Sequence, residues 1–162
     1  MVIKNGGFAK ILPSSRIWAK ESGTAVSTHT LTVKTRGFCD VIDLTDRVQD
    51  ALRESGMEKG IATVFICGST AGVTTIEYEP GAIADLQQAL ARLAPEDAEY
   101  RHNEKWHDGN GFSHLRSALI KTSLTVPFAD SKLLLGTWQQ VVLLDFDNRP
   151  RNRKVIVQIL GE

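Results

Sequence analysis

Residues 61–67 read IATVFIC, an almost continuous apolar run of the length of one strand. Such a run is typical of a strand at the centre of a sheet, buried on both faces. Residues 73–78 read VTTIEY and are rich in β-branched side chains, which predicts a second strand directly after the glycine-containing segment 68–72. The middle of the chain is therefore predicted to consist of strands.

Strands are also predicted on both sides of this centre. Residues 30–35 alternate in polarity and residues 38–42 are largely apolar, so the turn at residues 36–37 predicts a β-hairpin. Four further strands are predicted after residue 120, at 123–128, 132–135, 137–146 and 151–160.

Two principal helices are predicted between these strands. Thr45 is expected to cap a helix that runs to about Ser55 and stops at Gly56, and a second helix begins at Pro80 and ends before Pro95. Their apolar faces consist of Val48, Ala51 and Leu52 in the first helix and of Ile83, Leu86, Leu90 and Leu93 in the second. The pattern predicts a single α+β domain dominated by strands.

The composition of the chain indicates which partners and which cellular compartment to expect. Lys plus Arg and Asp plus Glu number 19 each, so no net positive field attracts nucleic acid or an anionic membrane. No apolar run approaches the length of a membrane span, and Cys39 and Cys67 do not form a CxxC pair. We expect a cytoplasmic protein with no nucleic-acid or membrane partner.

Three of the four histidines lie in residues 100–117, YRHNEKWHDGNGFSHLRS. His102, His107 and His114 could meet across a glycine-containing loop, and three imidazoles plus a water form an open catalytic zinc site. The spacing matches no standard zinc signature, however. By spacing alone, a solvated loop in which His114 caps or packs against the next element is the preferred interpretation.

Other polar side chains could act on a substrate. Glu77 and Glu79 would share one face of the predicted strand, where a close carboxylate pair could serve in acid–base chemistry or complete a metal site. The alternative is an exposed pair at a strand end. Ser69 and Thr70 make residues 68–72 a possible phosphate cradle, although the lysine of a P-loop is missing and a tight turn explains the glycines equally well.

The last strand carries two arginines on the face that it shares with aliphatic residues. Arg151 and Arg153 have the parity of Val155, so their guanidinium groups are expected at the edge of the core, where they need anionic partners. Asp145 and Asp147 across the turn, or a substrate phosphate, could fill that role equally well. Thr137 and Gln139 could reach a ligand from the face opposite to Trp138, which is expected in the core or an interface.

Six motifs in order resemble the YjbQ-like family, whose members are named secondary thiamine-phosphate synthase enzymes. The motifs are GSTAGVTTIEYEPG, YRH, DGNGFSH, SLTVPF, LLLGTWQQVVLLDFD and RPRNRKV. The resemblance covers residues 28–162 and leaves residues 1–27 as an N-terminal extension, either an extra edge strand or an arm. It implies an α+β sandwich that assembles as a homotrimer, with sites near subunit boundaries that combine the histidine segment with the glutamate strand.

The resemblance also assigns roles to residues of this chain. It implies an enzyme, of the transferase type, that uses a divalent metal such as zinc or magnesium on a small phosphorylated substrate. Many family members read His-Thr-Thr-Ala where this chain reads Gly68-Ser69-Thr70-Ala71, so one histidine is lost, and His107 could compensate. A metal-dependent hydrolase and a non-catalytic trimeric binding or structural protein are the alternatives. The predicted site consists of Glu77, Asn110 and His114 for catalysis, Ser69, Thr70, Thr137, Gln139, Arg151 and Arg153 for substrate, and His102, His107 and His114 for metal.

Overall fold

A computed structural model describes residues 23–162. Within this range the chain is a mixed α+β domain in which two antiparallel sheets dominate, as predicted. In chain order the elements are β1 (Ala25–Thr35), β2 (Asp40–Asp43), α1 (Thr45–Ser55), β3 (Gly60–Ile66), β4 (Ala71–Ile76), α2 (Pro80–Leu93), α3 (Arg101–Trp106), α4 (Gly111–Ile120), β5 (Ser123–Ala129), β6 (Lys132–Leu133), β7 (Gln140–Asp145) and β8 (Arg151–Gly161). Most of the extension predicted at residues 1–27 lies outside the described residues, and β1 begins within its last three.

The larger sheet has five strands in the order β1-β8-β3-β5-β6. The central position predicted for β3 is confirmed, but its burial on both faces is wrong. Val64 and Ile66 are fully buried, whereas Ile61 and Phe65 are 41% and 42% exposed. The strand alternates in this way because the rest of the described chain covers only one face of the sheet.

The smaller sheet has the order β2-β7-β4 and is covered on both faces. Val141 and Leu143 of β7 face the core shared with α1 and the five-stranded sheet. Val142 and Leu144, of opposite parity, pack in a second core that includes Leu90 of α2. Burial on both faces was predicted for β3, and it is found in β7 instead.

The hairpin predicted from residues 30–42 is wrong. β1 pairs with β8 in one sheet, and β2 pairs with β7 in the other. The segment between them has positive φ at Gly37, Phe38 and Cys39 in succession, which redirects the chain instead of folding it back. A Cβ on Gly37 would lie 2.5 Å from the Asp147 carbonyl oxygen, so this crossing requires glycine.

The helix predicted before β3 is confirmed, although its start differs. Thr45 is the first helical residue and Leu44 the N-cap, because the Thr45 hydroxyl bonds instead to the Asp43 carboxylate and accepts from the Val141 N–H. Gly56 ends the helix in the left-handed conformation, as predicted.

Residues 100–117 form two short helices and not a loop. His107 closes α3 in the left-handed conformation, and α4 then packs on the smaller sheet. Ser113 and Ser117 are buried and donate to the carbonyls of Phe146 and Ala71, each at 2.6 Å. Hydrogen bonds from these two hydroxyls hold the helix where apolar contacts would be expected. A helix face with a polar sequence is therefore packed against the sheet. No helix in residues 23–162 is long and apolar enough to cross a membrane.

Candidate functional site

Four polar side chains converge where α3 meets α4, and we call His102, Asp108, Asn110 and His114 the histidine end. The His102 and His114 rings lie with centroids 4.3 Å apart and planes tilted by 43°. His102 Nε2 is 3.4 Å from Asp108 Oδ2. The side-chain amide of the buried Asn110 faces the pair, and the orientation that satisfies its hydrogen bonding directs the nitrogen to both Asp108 oxygens at 3.2 Å. The segment thus brings together two of its three histidines.

The environment of His114 favours the neutral imidazole. Partial desolvation, followed by the nearby His102, lowers its pKa below the ordinary value of 6.5. Asp108, Asp147 and a hydrogen bond with the Ser69 backbone oppose this shift without reversing it. His114 is therefore unprotonated at neutral pH and able to accept a proton.

Asp108 remains ionised beside these rings. Desolvation, the largest single influence, raises its pKa, but hydrogen bonds from His102 and the Asn110 N–H, with the attraction of His102, bring the pKa below its ordinary value of 3.8. The histidine end thus combines a neutral base with a carboxylate.

A buried ionic network supports the histidine end. Arg153 donates to both oxygens of Asp145, at 2.7 and 2.5 Å, and both side chains are almost completely buried. Arg151 donates through Nε to Asp147 at 2.7 Å and retains about a third of its exposure. Of the two partners expected for these arginines, Asp145 and Asp147 are the ones observed here.

The network also fixes residues 68–72. The Thr70 hydroxyl donates to Asp147 at 3.0 Å and accepts from Arg153 Nη2 at 2.9 Å. Thr70 is buried, so its predicted part in binding substrate is replaced here by an internal contact. Ser69 is exposed and lies beside His114 through its backbone, and a strand follows the segment as expected.

A cavity of about 460 Å³ opens beside the histidine end, and we call it the arginine cavity. Two guanidinium-bearing residues and two amide-bearing residues line it with one carboxylate: Arg149, Arg151, Asn148, Asn110 and Asp108. The Asn148 amide donates to the Asp108 carbonyl at 2.8 Å, which ties the turn before β8 to the α3–α4 junction. The amide donors and the two guanidinium groups of the arginine cavity suit a phosphate-bearing group.

The other predicted residues lie at the opposite end of β4, and we call Glu77, Thr137 and Gln139 the glutamate end. Ile76 of β4 pairs with Gln140 of β7, just after Gln139, whereas Ala71 pairs with Asp145 beside the network. A six-residue strand at ~3.3 Å per residue separates the two ends by roughly 20 Å. Within one chain, Glu77 is therefore not assembled with the histidines.

No residue of the glutamate end has a buried charged partner among residues 23–162. β4 stops at Ile76, so Glu77 and Glu79 do not share a strand face. Glu79 instead caps α2 by accepting from the Ala82 and Gly81 N–H groups, which lowers its pKa. Gln139 accepts from the Gly136 N–H at 2.8 Å, and Thr137 is exposed. Trp138, expected in the core or an interface, is 68% exposed, so the core is wrong and the interface stays a prediction.

The predicted metal ligands do not form one group. His107 is exposed at the end of α3, and its ring has no hydrogen bond, ion pair or ring contact with any residue from 23 to 162. In that part of the chain, no three His, Cys, Asp or Glu side chains are grouped so as to hold a metal ion. The residues as arranged do not fit a three-histidine metal site.

Comparison with known proteins decides the family. The family model described as UPF0047 protein YjbQ-like matches residues 29–162. The chain belongs to the YjbQ/UPF0047 family. A UPF0047 protein of Methanothermobacter thermautotrophicus is 36% identical over 137 residues, which cover 85% of this chain and 94% of the relative. One from Mycobacterium tuberculosis is 39% identical over 115 residues, covering 71% and 84%.

Solved structures of YjbQ-like proteins share the fold. One from Sulfolobus solfataricus, described as of unknown function, has a TM-score of 0.82 at 28% identity and covers 86% of this chain and all of its own. An uncharacterized YjbQ/UPF0047 protein of Clostridium acetobutylicum has a TM-score of 0.74 at 35% identity, covering 81% and 98%. These likenesses establish family and architecture, and none of them names an activity.

Three residues of the histidine end and the arginine cavity are not among those predicted from the sequence: Asp108, Asn148 and Arg149. Asp108 lies between His107 and His114 in the sequence, and Asn148 and Arg149 belong to the turn before β8. The only sequence feature that marks these three residues is the polarity of the two turn segments in which they lie. Contact between those segments, 40 residues apart, is a tertiary property.

Proposed function

We propose that this YjbQ-family protein is an enzyme that acts on a small phosphorylated substrate at the histidine end. The observation that carries the proposal is a neutral, partly buried His114 in one cluster with Asp108 and Asn110, which line the arginine cavity. A phosphate held by Arg149 and Arg151 would place the rest of the substrate toward the imidazoles. His114 would accept a proton from the attacking group, a contribution of roughly 10²–10⁴-fold for a positioned base.

The remaining residues of the cluster would orient this base. Asp108 and His102 would stabilise the imidazolium that forms when His114 takes a proton, and Asn110 would hold the carboxylate in place. In a transfer of the thiamine-phosphate synthase type, which the family resemblance suggests, Arg149 and Arg151 would stabilise the departing pyrophosphate. Ser69, exposed beside His114, would offer a hydroxyl to the substrate.

A divalent metal, zinc or magnesium, stays a prediction for this site. His102, His114 and Asp108 are suitable donors by chemistry, whereas His107 and Glu77 lie apart from them. A bound metal would neutralise phosphate charge, but the donors as arranged do not form a complete ligand set. The proton transfer to His114 does not require the metal.

The proposal is tested with untagged protein and a panel of phosphate and pyrophosphate esters. Metal content per chain is measured first, and turnover is followed by release of phosphate or pyrophosphate, with and without added zinc or magnesium. We expect turnover that falls at least 100-fold in His114→Ala and is unchanged in the matched control His107→Ala. No turnover on any ester, or equal loss in both variants, would refute the proposal.

Product analysis in the same assay separates the reaction types. Transfer to an organic acceptor supports the synthase type, and release to water alone supports the metal-dependent hydrolase, if activity also follows metal content. A non-catalytic protein would show only a loss of stability in His114→Ala.

We also propose that the chain assembles as a homotrimer through the uncovered face of the five-stranded sheet. Cross-strand pairing aligns Val26, Leu160, Ile61 and Pro127 in one apolar row on that face. The next two rows, through Thr63 and Phe65, carry no charged side chain. An apolar row beside uncharged rows suits an interface, and closed symmetry would bury it.

Sedimentation tests the assembly. We expect the native protein to have three times the chain mass of 17.8 kDa. Ile61→Asp should dissociate it, whereas Asp85→Lys, an exposed change on α2 behind the smaller sheet, should not. A monomeric native protein would contradict this proposal and leave the enzymatic one in place.

A further inference from the structure

A second cavity borders His114, and the proposed chemistry involves only His114 and Ser69 of its lining. It has a volume of about 430 Å³ and we call it the lysine cavity. One helix face, the segment after β3 and the start of β5 line it: His114, Ser117, Ala118 and Lys121, then Gly68 and Ser69, then Thr122 and Ser123. The His114 ring therefore lines this cavity while it contacts His102, whose partners Asp108 and Asn110 line the arginine cavity.

The lining of the lysine cavity has one cation and no anion. Lys121 is exposed, and no Asp or Glu among residues 23–162 forms an ion pair with its ammonium group. Ser69 and Ser123 are exposed and offer hydroxyl groups, whereas the Ser117 hydroxyl is already bonded to the Ala71 carbonyl. An unpaired ammonium with free hydroxyls around it suits an oxyanion, either a phosphate or a carboxylate.

The backbone holds Lys121 in a conformation that ordinarily belongs to glycine. Its φ is 76° and its ψ is 161°, a region that non-glycine residues rarely occupy. Its N–H donates to Ser117 O at 2.8 Å and its carbonyl accepts from Val73 N at 3.1 Å, so both neighbouring elements fix it. Glycine would adopt this backbone without strain, and the lysine places an ammonium at the cavity instead. Such strain is concentrated at functional sites.

We infer that the lysine cavity is a second oxyanion subsite, with Lys121 as its specificity residue. This inference rests on the proposed function and extends it: the substrate or substrate pair carries two oxyanion groups, of which at least one is a phosphate. The arginine cavity takes the phosphate and the lysine cavity takes the second group. His114, which borders the lysine cavity and contacts His102 near the arginine cavity, then lies beside the part of the substrate between them.

Titration of the full chain with inorganic phosphate, followed through backbone amide resonances, tests the inference. Two separate groups of amides should shift: Asn148 and Arg151 at the arginine cavity, and Ser69, Thr122 and Ser123 at the lysine cavity. A parallel titration with acetate distinguishes the source of the second oxyanion. Shifts with acetate at the lysine cavity alone would mean that it takes a carboxylate, and shifts only with phosphate would mean that it takes a second phosphate.

Variants of Lys121 separate this inference from the proposed function. Lys121→Gly, which suits the backbone, should raise the phosphate midpoint at the lysine cavity at least tenfold and leave the arginine cavity unchanged. Lys121→Arg should restore binding, and Lys132→Ala, an exposed lysine on β6, should change neither group. Unchanged binding in Lys121→Gly, or no shift at the lysine cavity with either anion, overturns the inference. If the amides at the lysine cavity shift but those of Asn148 and Arg151 do not, the result contradicts the proposed function and not this inference.

Discussion

The two ends of β4 contrast in how their polar side chains are held. Beside the histidine end, Asp145 and Asp147 of the ionic network that supports it are fully buried and each contacts an arginine. At the glutamate end, Glu77 is exposed, and within the described part of the chain Gln139 bonds only to the turn in which it lies. Both ends carry residues that chemistry could use, but only the first holds them in fixed positions.

The difference teaches that residue type alone does not identify a site. A buried charge must be paired, and pairing at several points fixes the direction of each group. An exposed glutamate is solvated and moves among rotamers, so it is not held toward a substrate. Preorganisation is the property that catalysis needs, and it is found at the histidine end.

The largest expected effect is a difference in turnover between a variant at the histidine end and a variant at the glutamate end. His114→Ala should lower turnover about 10²–10⁴-fold, the usual contribution of a general base. Glu77→Gln should change turnover less than about twofold, because within one chain it lies roughly 20 Å from the imidazoles. Steady-state kinetics on the ester found by the screen measure both. A large loss in Glu77→Gln would mean that a neighbouring subunit brings its glutamate end to the histidines.

The second prediction concerns stability. Arg153→Met leaves Asp145 buried without its bidentate partner, which should reduce the free energy of unfolding by about 3–5 kcal/mol. Arg53→Met breaks an ion pair with Asp50 of nearly the same length, but both side chains are more than 60% exposed. That control should cost less than about 1 kcal/mol. Urea unfolding measures both, and similar costs would contradict the contrast.

A smaller effect is expected where α4 approaches β4. A Cβ on Gly72 would lie 2.7 Å from Ile120 Cγ2 and 2.9 Å from the Lys121 carbonyl oxygen. Gly72→Ala should therefore displace α4 and lower the free energy of unfolding by about 1–3 kcal/mol. Thr75→Ala, near the glutamate end of the same strand, should cost less than about 1 kcal/mol. Thermal unfolding compares the two, and an equal or smaller cost for Gly72→Ala would show that the helix has room to move.

The smallest effect is a shift in titration. Because the pKa of His114 lies below 6.5 in the folded protein, the unfolded chain binds more protons between these two values. The contribution of His114 to stability is therefore present above pH 6.5 and is lost as the pH falls toward the folded pKa. Asp108 raises this pKa, so Asp108→Asn should lower it further.

Imidazole NMR titration measures this shift. Glu77→Gln is the control and should leave the His114 titration unchanged. A higher His114 pKa in Asp108→Asn would show that the carboxylate does not act on this ring.

Local patterns in the sequence were sufficient for the elements with regular periodicity. The face of α1 made of Val48, Ala51 and Leu52 is buried, and Arg151 and Arg153 do share a face with Val155. These patterns depend on helix and strand periods that the chain itself imposes. The same reasoning failed for residues 100–117, because α4 buries Ser113, Arg116 and Ser117, which do not look like a core.

The sequence by itself determined the strand-rich α+β class, the central place of β3 and the polar character of the histidine segment. Tertiary structure alone decided that β1 and β2 belong to different sheets, that His107 is excluded from the cluster, and that Glu77 lies at the far end of β4. Which side chains meet depends on strand order and on contacts between segments far apart in sequence. Those contacts are selected by the packing of the whole core, and no local pattern encodes them.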